Sequence, residues 1–351
     1  MATFGDALEA LEEFRAELVN LQMNATVPQA QAMAFRASAG SAGDPPLANV
    51  HATGVGVRDD GQFVVKVYMF DAESVRSAGT VSLFSAPLQG VNVDVEHLPV
   101  QVAFDRGPAR KTVAALVGNP GQHQARRRPV PGGVEIGPLG GNFVGTLGCF
   151  VRRGGDNNGP LFVLSNNHVL ANVNRFPAGT PFTQPFSANA ADTIATLSSF
   201  EPILFPAPGT QPRNVIDAAI AVVTNPAQVV LGKMLNIRKY TPQLLAPRPG
   251  MRVTKAGRTT GVTTGTIRAI RVRGVQVNYG TRQIPIIATF DNAITIIGNN
   301  GLPFSNPGDS GSVILDKASG RPVALLFAGD GSTTTACDVS VACARFNVRP
   351  V

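Results

Sequence analysis

Residues 306–315 read NPGDSGSVIL, two glycines, an aspartate and two serines set directly before an apolar run. Gly308 and Gly311 can take backbone conformations closed to other residue types, so the pattern predicts a tight turn that opens into a strand and presents Ser310. A surface loop could use the same residues without any chemistry. The two readings part on whether the chain also supplies a base, and a carboxylate to orient it.

Around this stretch, from residue 141 onward, short apolar runs follow one another: FVGTLGCFV, PLFVLSN, DTIATLSSF, DAAIAVV, MRVTKAG, GTIRAIRV, VQVNY, AITII and PVALLFAG. Gly, Pro and Asn clusters punctuate them, which is the pattern of an antiparallel sandwich or barrel. No alternation of strands with helical segments is visible, so a doubly wound sheet is not expected. The composition agrees: of 351 residues, 44% are apolar and only 15% charged, with 37 Gly and 27 Pro. That mix specifies a turn-rich globular chain and excludes wholesale disorder. No apolar run is long enough to span a bilayer, so no membrane partner is expected.

Upstream, Phe4, Ala7, Leu11, Phe14, Leu18 and Leu21 recur at three- and four-residue steps, predicting an amphipathic helix over 4–22. At under three heptads it is too short to stand alone. It either docks on its own chain or joins copies in a homo-oligomer. A Pro- and Ala-rich linker follows, so residues 1–47 read as helix plus linker. Residues 48–106 read as a small α/β domain: VHATGVGV and FVVKVYMF flank DDG as a hairpin, DAESVRS is one helical turn, and GTVSLF, GVNVDVEHL and VQVAF are further strands. Residues 107–140 read as a second linker and 141–351 as the main domain.

Net charge is +7, concentrated in Arg126–Arg128 and in Arg268, Arg271 and Arg273. A charge run is more often a solvated face than a nucleic-acid site, and with 6% aromatics and no Trp there is little surface for base stacking. Nucleic acid is not an expected partner. Cys149, Cys337 and Cys343 are an odd count, which points to reduced thiols and a cytoplasmic setting, with a single Cys337–Cys343 bridge as the alternative. The amino terminus lacks the basic and continuous apolar regions of a secretory signal. The cysteines and histidines lack metal-ligand spacing and the glycine-rich stretches lack a phosphate-loop lysine, so neither metal nor cofactor is expected.

Of four histidines, His51 and His97 fall in the amino-terminal strands and His123 in a Pro/Gly stretch. His168 differs, ending the strand-like LFVLSNN. Asp217 opens DAAIAVV, a carboxylate among apolar residues that needs a donor such as an imidazole N–H if buried. Each has a bland alternative, as a structural strand-end histidine or a turn cap. Together with Ser310 they form a chemical set. Histidine titrates near neutrality and can take the proton of a serine hydroxyl, and an aspartate fixes its tautomer. The N–H groups of Gly308 and Ser310, presented by the turn, would face a developing oxyanion.

The order His168, Asp217, Ser310, with GDSGS, LSNNHVL and DAAI as motifs, resembles the chymotrypsin/trypsin-like serine peptidases over residues 141–351. More narrowly, GTLGCFVRR, DTIATL and GRTTGVTTGTI look like a bacterial intracellular branch related to the narrow-leaf-type proteases of plants. The resemblance implies two packed six-stranded β-barrels with the triad between them and a protein or peptide substrate. Three departures stand out. Val169 replaces a disulfide-bonded cysteine. Phe327 stands where many members carry a serine that supports the aspartate, leaving backbone donors to orient Asp217. Asp309 pairs, in activated members, with a free amino terminus released by cleavage, a route that the long upstream segment of this chain disfavours. Six residues before Ser310, where the resemblance places the base of the primary pocket, stands Phe304, which carries no carboxylate; with Ser305, Phe327 and Gly329 this implies small or medium apolar side chains rather than Arg or Lys. The resulting expectation is a regulatory serine endopeptidase. The alternative is a catalytically silent trypsin-fold binding or scaffold protein, and an α/β-hydrolase esterase is disfavoured because Asp309 and Ser312 break the G-x-S-x-G elbow.

Overall fold

A computed structural model of the protein describes residues 2–24, 49–77, 87–103, 121–154 and 158–351. Helix α1 spans Phe4–Asn24, and β1 (Val50–Val57), β2 (Phe63–Met69), β3 (Asn92–His97) and the short β4 (Gln101–Val102) follow. The middle of the chain supplies β5 (Val130–Gly132), β6 (Val134–Pro138), β7 (Gly145–Leu147), β8 (Cys149–Arg153) and β9 (Leu161–Ser165). It continues with β10 (Pro181–Thr183), β11 (Thr193–Phe200), β12 (Arg213–Asn214), β13 (Ala219–Val223) and β14 (Val229–Met234). The last part holds β15 (Arg252–Gly257), β16 (Gly261–Arg273), β17 (Val275–Asn278), β18 (Ile287–Phe290) and β19 (Ala293–Gly298). It ends with β20 (Val313–Asp316), β21 (Pro322–Gly329), β22 (Thr333–Asp338) and β23 (Val348–Pro350).

The fold is mainly β, as expected, with one half closed into a barrel. In β16 alternate side chains are buried from Gly261 to Ala269, the period-2 signature of a strand with one face on a core. β15, β16, β19, β22, β21 and β20 pair antiparallel in turn, and β20 pairs back to β15, so these six close into a barrel. Val253, Ile267, Ile294, Ile296, Ile314 and Leu326 fill it. The other half departs from the expectation of two closed six-stranded barrels. Its eight strands run β23-β8-β9-β13-β11-β10-β6-β7 as a curled sheet around Leu147, Val163, Phe182 and Ile194. A third cluster, with Leu164, Ile220, Val272, Phe290, Leu325 and Phe327, welds the two halves.

Helix α1 turns Ala7, Leu11, Phe14 and Leu18 onto the hairpin of β1 and β2, so the seam is covered by the chain's own residues. Full burial of Leu11 and Phe14 is worth about 1.5–3 kcal/mol each. The DDG hairpin forms as read, with Gly61 at φ +84° and Arg58 N–H bonded to Gln62 O. β1 also pairs with β16, which makes the amino-terminal strands an extension of the closed barrel's sheet. The linker expected at 25–47 and the GTVSLF strand lie outside the described residues. So does the linker stretch up to residue 120. Its remainder departs from a linker, because β5 and β6 are buried strands, the first paired to β14 and the second to β7 and β10.

The basic residues have internal uses. Arg126 meets Asp192 at 2.9 Å, Arg128 donates to the Gln184 carbonyl at 2.9 Å, and Arg268 meets Glu96 at 3.0 Å. Lys66, fully buried, bridges Asp94 and Glu96. The three cysteines are buried free thiols, each pushed above the usual thiol range by burial. No helix among the described residues is long and apolar enough to cross a membrane.

Candidate active site

Strand register brings His168 and Asp217 together. β9 and β13 pair antiparallel with Ser165 opposite Ala219, so residues just beyond β9 lie beside those just before β13. After Ser165 the chain breaks into a single helical turn, Asn167–Leu170, that carries His168. Asn166 donates its amide to the Asp217 carbonyl at 2.7 Å, and Asn167 donates to Glu201 O at 2.6 Å, which ties the turn down. His168 Nδ1 stands 2.5 Å from Asp217 Oδ2, and the His168 backbone N–H donates to Oδ1 at 3.2 Å. With Asp217 accepting at Nδ1, the ring proton sits there and Nε2 is the basic nitrogen.

Asp217 has a further partner that sequence reasoning missed. Tyr279, one residue past β17, donates its hydroxyl to Asp217 Oδ2 at 2.9 Å. Burial first, and then the neighbouring carboxylate, push the phenol well above its ordinary pKa, so it stays a donor. The expectation that backbone donors alone replace a supporting serine is therefore half right: one backbone N–H is present, and a phenol does the rest. Only the run VQVNY, ending in a polar-tipped aromatic, hinted at it.

Ser310 comes from the closed barrel. In its turn Gly308 and Gly311 have φ of +97° and +92°. A β-carbon on Gly311 would fall 2.1 Å from Ser165 Oγ and 2.3 Å from the Thr146 carbonyl, so the turn is pressed onto the strand end that leads to His168. A β-carbon on Gly145 would meet both Val169, the residue after His168, and the Ser310 carbonyl. Thr146, also missed from sequence, fastens this contact. Its N–H donates to Ser310 O at 2.8 Å, its hydroxyl to Gly308 O at 3.0 Å, and its carbonyl accepts from Ser165 Oγ at 2.8 Å. The structure thus brings the Ser310 turn, His168 and Asp217 to one seam between the halves. Neither the Gly308 nor the Ser310 N–H donates to a partner among the described residues.

Asp309 is fully buried and meets Lys255, also fully buried, at 3.2 Å. Its carboxylate further accepts from the N–H groups of Thr259, Thr260 and Asn306 and from the Thr260 hydroxyl. Burial pulls the Lys255 pKa below the usual lysine range, against the opposing effect of Asp309. The cation that meets Asp309 is therefore a side chain of the chain's own barrel. No new amino terminus is needed there.

Of the expected pocket residues, Ser305 and Gly329 adjoin: a β-carbon on Gly329 would lie 3.6 Å from Ser305 Oγ. Phe304 and Phe327 are 1% and 0% exposed and belong to two different cores, so neither ring offers surface to a ligand. Ser310 itself is 7% exposed, with its hydroxyl 3.4 Å from the carbonyl oxygen of Ala103.

No family model matches the sequence, and no curated protein matches it. Among solved structures, the chain is similar to Thermobifida fusca Protease A, at 17% identity and a TM-score of 0.44, over 63% of this chain and 98% of that one. It is similar also to Cellulomonas bogoriensis chymotrypsin, at 21% identity and 0.43, and to a Nocardiopsis protease, at 20% and 0.43. Both of these likenesses again cover 63% of this chain and 98% of the other.

Proposed function

We propose that this protein is a serine endopeptidase that hydrolyses peptide bonds through Ser310, His168 and Asp217. The observation that carries the reading is the seam itself, where an imidazole bonded to a buried aspartate sits on the helical turn just beyond the strand end against which the Ser310 turn is pressed. In this mechanism His168 Nε2 takes the Ser310 proton as the hydroxyl attacks the scissile carbonyl. Asp217 stabilises the imidazolium, and the Gly308 and Ser310 N–H groups receive the oxyanion; one such donor is worth about 10²–10³ in rate. His168 then gives its proton to the leaving amine, and water hydrolyses the acyl-enzyme by the same steps in reverse.

The adjoining Ser305 and Gly329, both small, support a preference for small or medium apolar residues on the acyl side. The free buried thiols support an intracellular setting, as in the bacterial branch the sequence resembles, and the extra amino-terminal strands support a regulatory role. A second reading, a silent scaffold, draws on the near-complete burial of Ser310. A fluorophosphonate probe separates them. The endopeptidase is expected to be labelled at Ser310, with the label lost in Ser310→Ala; an unlabelled wild type that also leaves a peptide library intact defeats the proposal.

A further inference from the structure

The ladder of β9 and β13 ends at the pair of Ser165 and Ala219, so it extends to neither His168 nor Asp217. Beyond it, asparagines take over. Past Phe200 the chain leaves β11 and runs on through residues 201–204, with Ile203 buried as the anchor. Asn174 accepts from the Ile203 N–H at 3.0 Å and donates to the Ile203 carbonyl at 2.7 Å. Asn214 does the same to the next residue, accepting from the Leu204 N–H at 2.8 Å and donating to the Leu204 carbonyl at 2.9 Å. A carboxamide carries both an acceptor and a donor, so each side chain pairs with one residue's backbone as a neighbouring strand would.

The two grips come from the two sides of the site. Asn174 Oδ1 accepts at 2.7 Å from the amide of Asn167, the residue before His168, and the Asn174 N–H donates back to Asn167 Oδ1 at 3.2 Å. Asn172, Val173 and Asn174 all have left-handed backbones, with φ of +47°, +56° and +68°. For the β-branched Val173 this is strain, which persists where the surrounding structure imposes it. Here the bonds of Asn174 do so. Asn214 stands three residues before Asp217, and the Glu201 N–H donates at 3.0 Å to the carbonyl of Ala218, the residue after it. Asn214 also donates at 3.2 Å to Thr289 O in β18, the partner of β17, which leads to Tyr279.

We infer that residues 201–204 are a positioning strap, gripped by Asn174 and Asn214, that fixes the His168 imidazole against Asp217; this rests on the peptidase reading above. Neither asparagine bonds a reacting atom, so the strap acts through His168 and Asp217, and its loss falls on the chemical step rather than on peptide binding. Because both grips serve one strap, releasing either releases most of the effect.

The test uses the full chain as wild type, Asn174→Gly, Asn214→Ala and the double variant. Glycine keeps the left-handed backbone at 174 and removes only the side-chain grip. Readouts are fluorophosphonate labelling of Ser310, kcat and KM on a peptide, urea unfolding, and the low-field proton resonance of His168 Nδ1. Asn174→Gly is expected to lower kcat about fivefold and Asn214→Ala about tenfold, with KM unchanged and the Nδ1 proton moved upfield in both. The double variant is expected to lose about tenfold, not the roughly fiftyfold of two independent losses. Where Asn214→Ala lacks a cooperative urea transition, Asn174→Gly alone decides. A wild type labelled at Ser310, with variants whose Nδ1 proton is unmoved, whose KM changes in place of kcat, or whose losses multiply, overturns this inference and leaves the peptidase reading standing. A wild type that takes no label and cuts no peptide overturns the peptidase reading, and this inference with it.

Discussion

Two aspartates, Asp217 and Asp309, are fully buried beside the same serine turn, and their surroundings differ in kind. Around Asp309 the closed barrel supplies a full cation, Lys255, and four further donors. That carboxylate is neutralised within its own half of the molecule. Around Asp217 the donors are an imidazole, a phenol and a backbone N–H, all formally neutral, and the phenol reaches across from the other half. A buried carboxylate without a resident cation stabilises whatever positive charge appears next to it. In the proposed mechanism that charge is a protonated His168. The difference teaches that burial alone does not single out a carboxylate as a candidate for catalysis; the charge of its partners does.

The largest expected effect sharpens the Asp217 side. Asp217→Asn should lower peptide hydrolysis by about 10⁴-fold, the scale set by losing the tautomer control of a triad, while unfolding in urea changes far less. Equal losses in activity and stability would mean that Asp217 is a structural group like Asp309.

Next comes the mirror experiment. Lys255→Met strands the Asp309 charge in the barrel and should cost about 3–5 kcal/mol of unfolding free energy, with Lys255→Met/Asp309→Asn recovering much of it. A loss below about 1 kcal/mol, the level of an exposed pair, would show that the barrel admits water to this site.

Tyr279→Phe removes one donor from Asp217 and keeps the ring. A fall in kcat of about tenfold, equivalent to ~1.4 kcal/mol, is expected with KM unchanged. A changed KM with constant kcat would move Tyr279 from positioning to substrate binding.

The smallest effect concerns pH. His123, near the Lys255–Asp309 pair, is held below the ordinary histidine range first by burial, with the Gly133 carbonyl raising it and Lys255 lowering it further. Its Nδ1 bonds Gly133 O at 2.7 Å, and the ring is neutral in the fold. A depressed folded pKa means that the unfolded chain binds the proton first. Stability is therefore complete above about pH 6.5 and lost as pH falls below it, by at most about 1.4 kcal/mol per pH unit for one proton. Unfolding free energies measured between pH 7 and 5 should fall less steeply in His123→Gln than in the wild type.

Much of this was readable in one dimension. Local period-2 patterns and Gly/Pro breaks marked the strands of the closed barrel, because a strand's face pattern is carried by its own residues. His168, Asp217 and Ser310 could be singled out as candidates because each sits in a motif with few rivals, one of four histidines among them. RRRPVPGGVEIGP misled, since its prolines and arginines look like a linker. β5 and β6 form because Val229–Met234, Gly145–Leu147 and Pro181–Thr183 offer partners from elsewhere in the chain. Thr146 and Tyr279 were missed for the same reason, since nothing next to them in the chain announces a serine turn or a carboxylate.

The sequence by itself determined which groups exist to accept, donate and attack, and which runs extend as strands, since both are properties of neighbouring residues. Only the tertiary structure decided who meets whom: Lys255 with Asp309, 54 positions apart, Tyr279 with Asp217, 62 apart, and Ala103 with Ser310, 207 apart. Such pairings depend on register between distant strands and on which charges share a low-dielectric interior, and no local pattern encodes either.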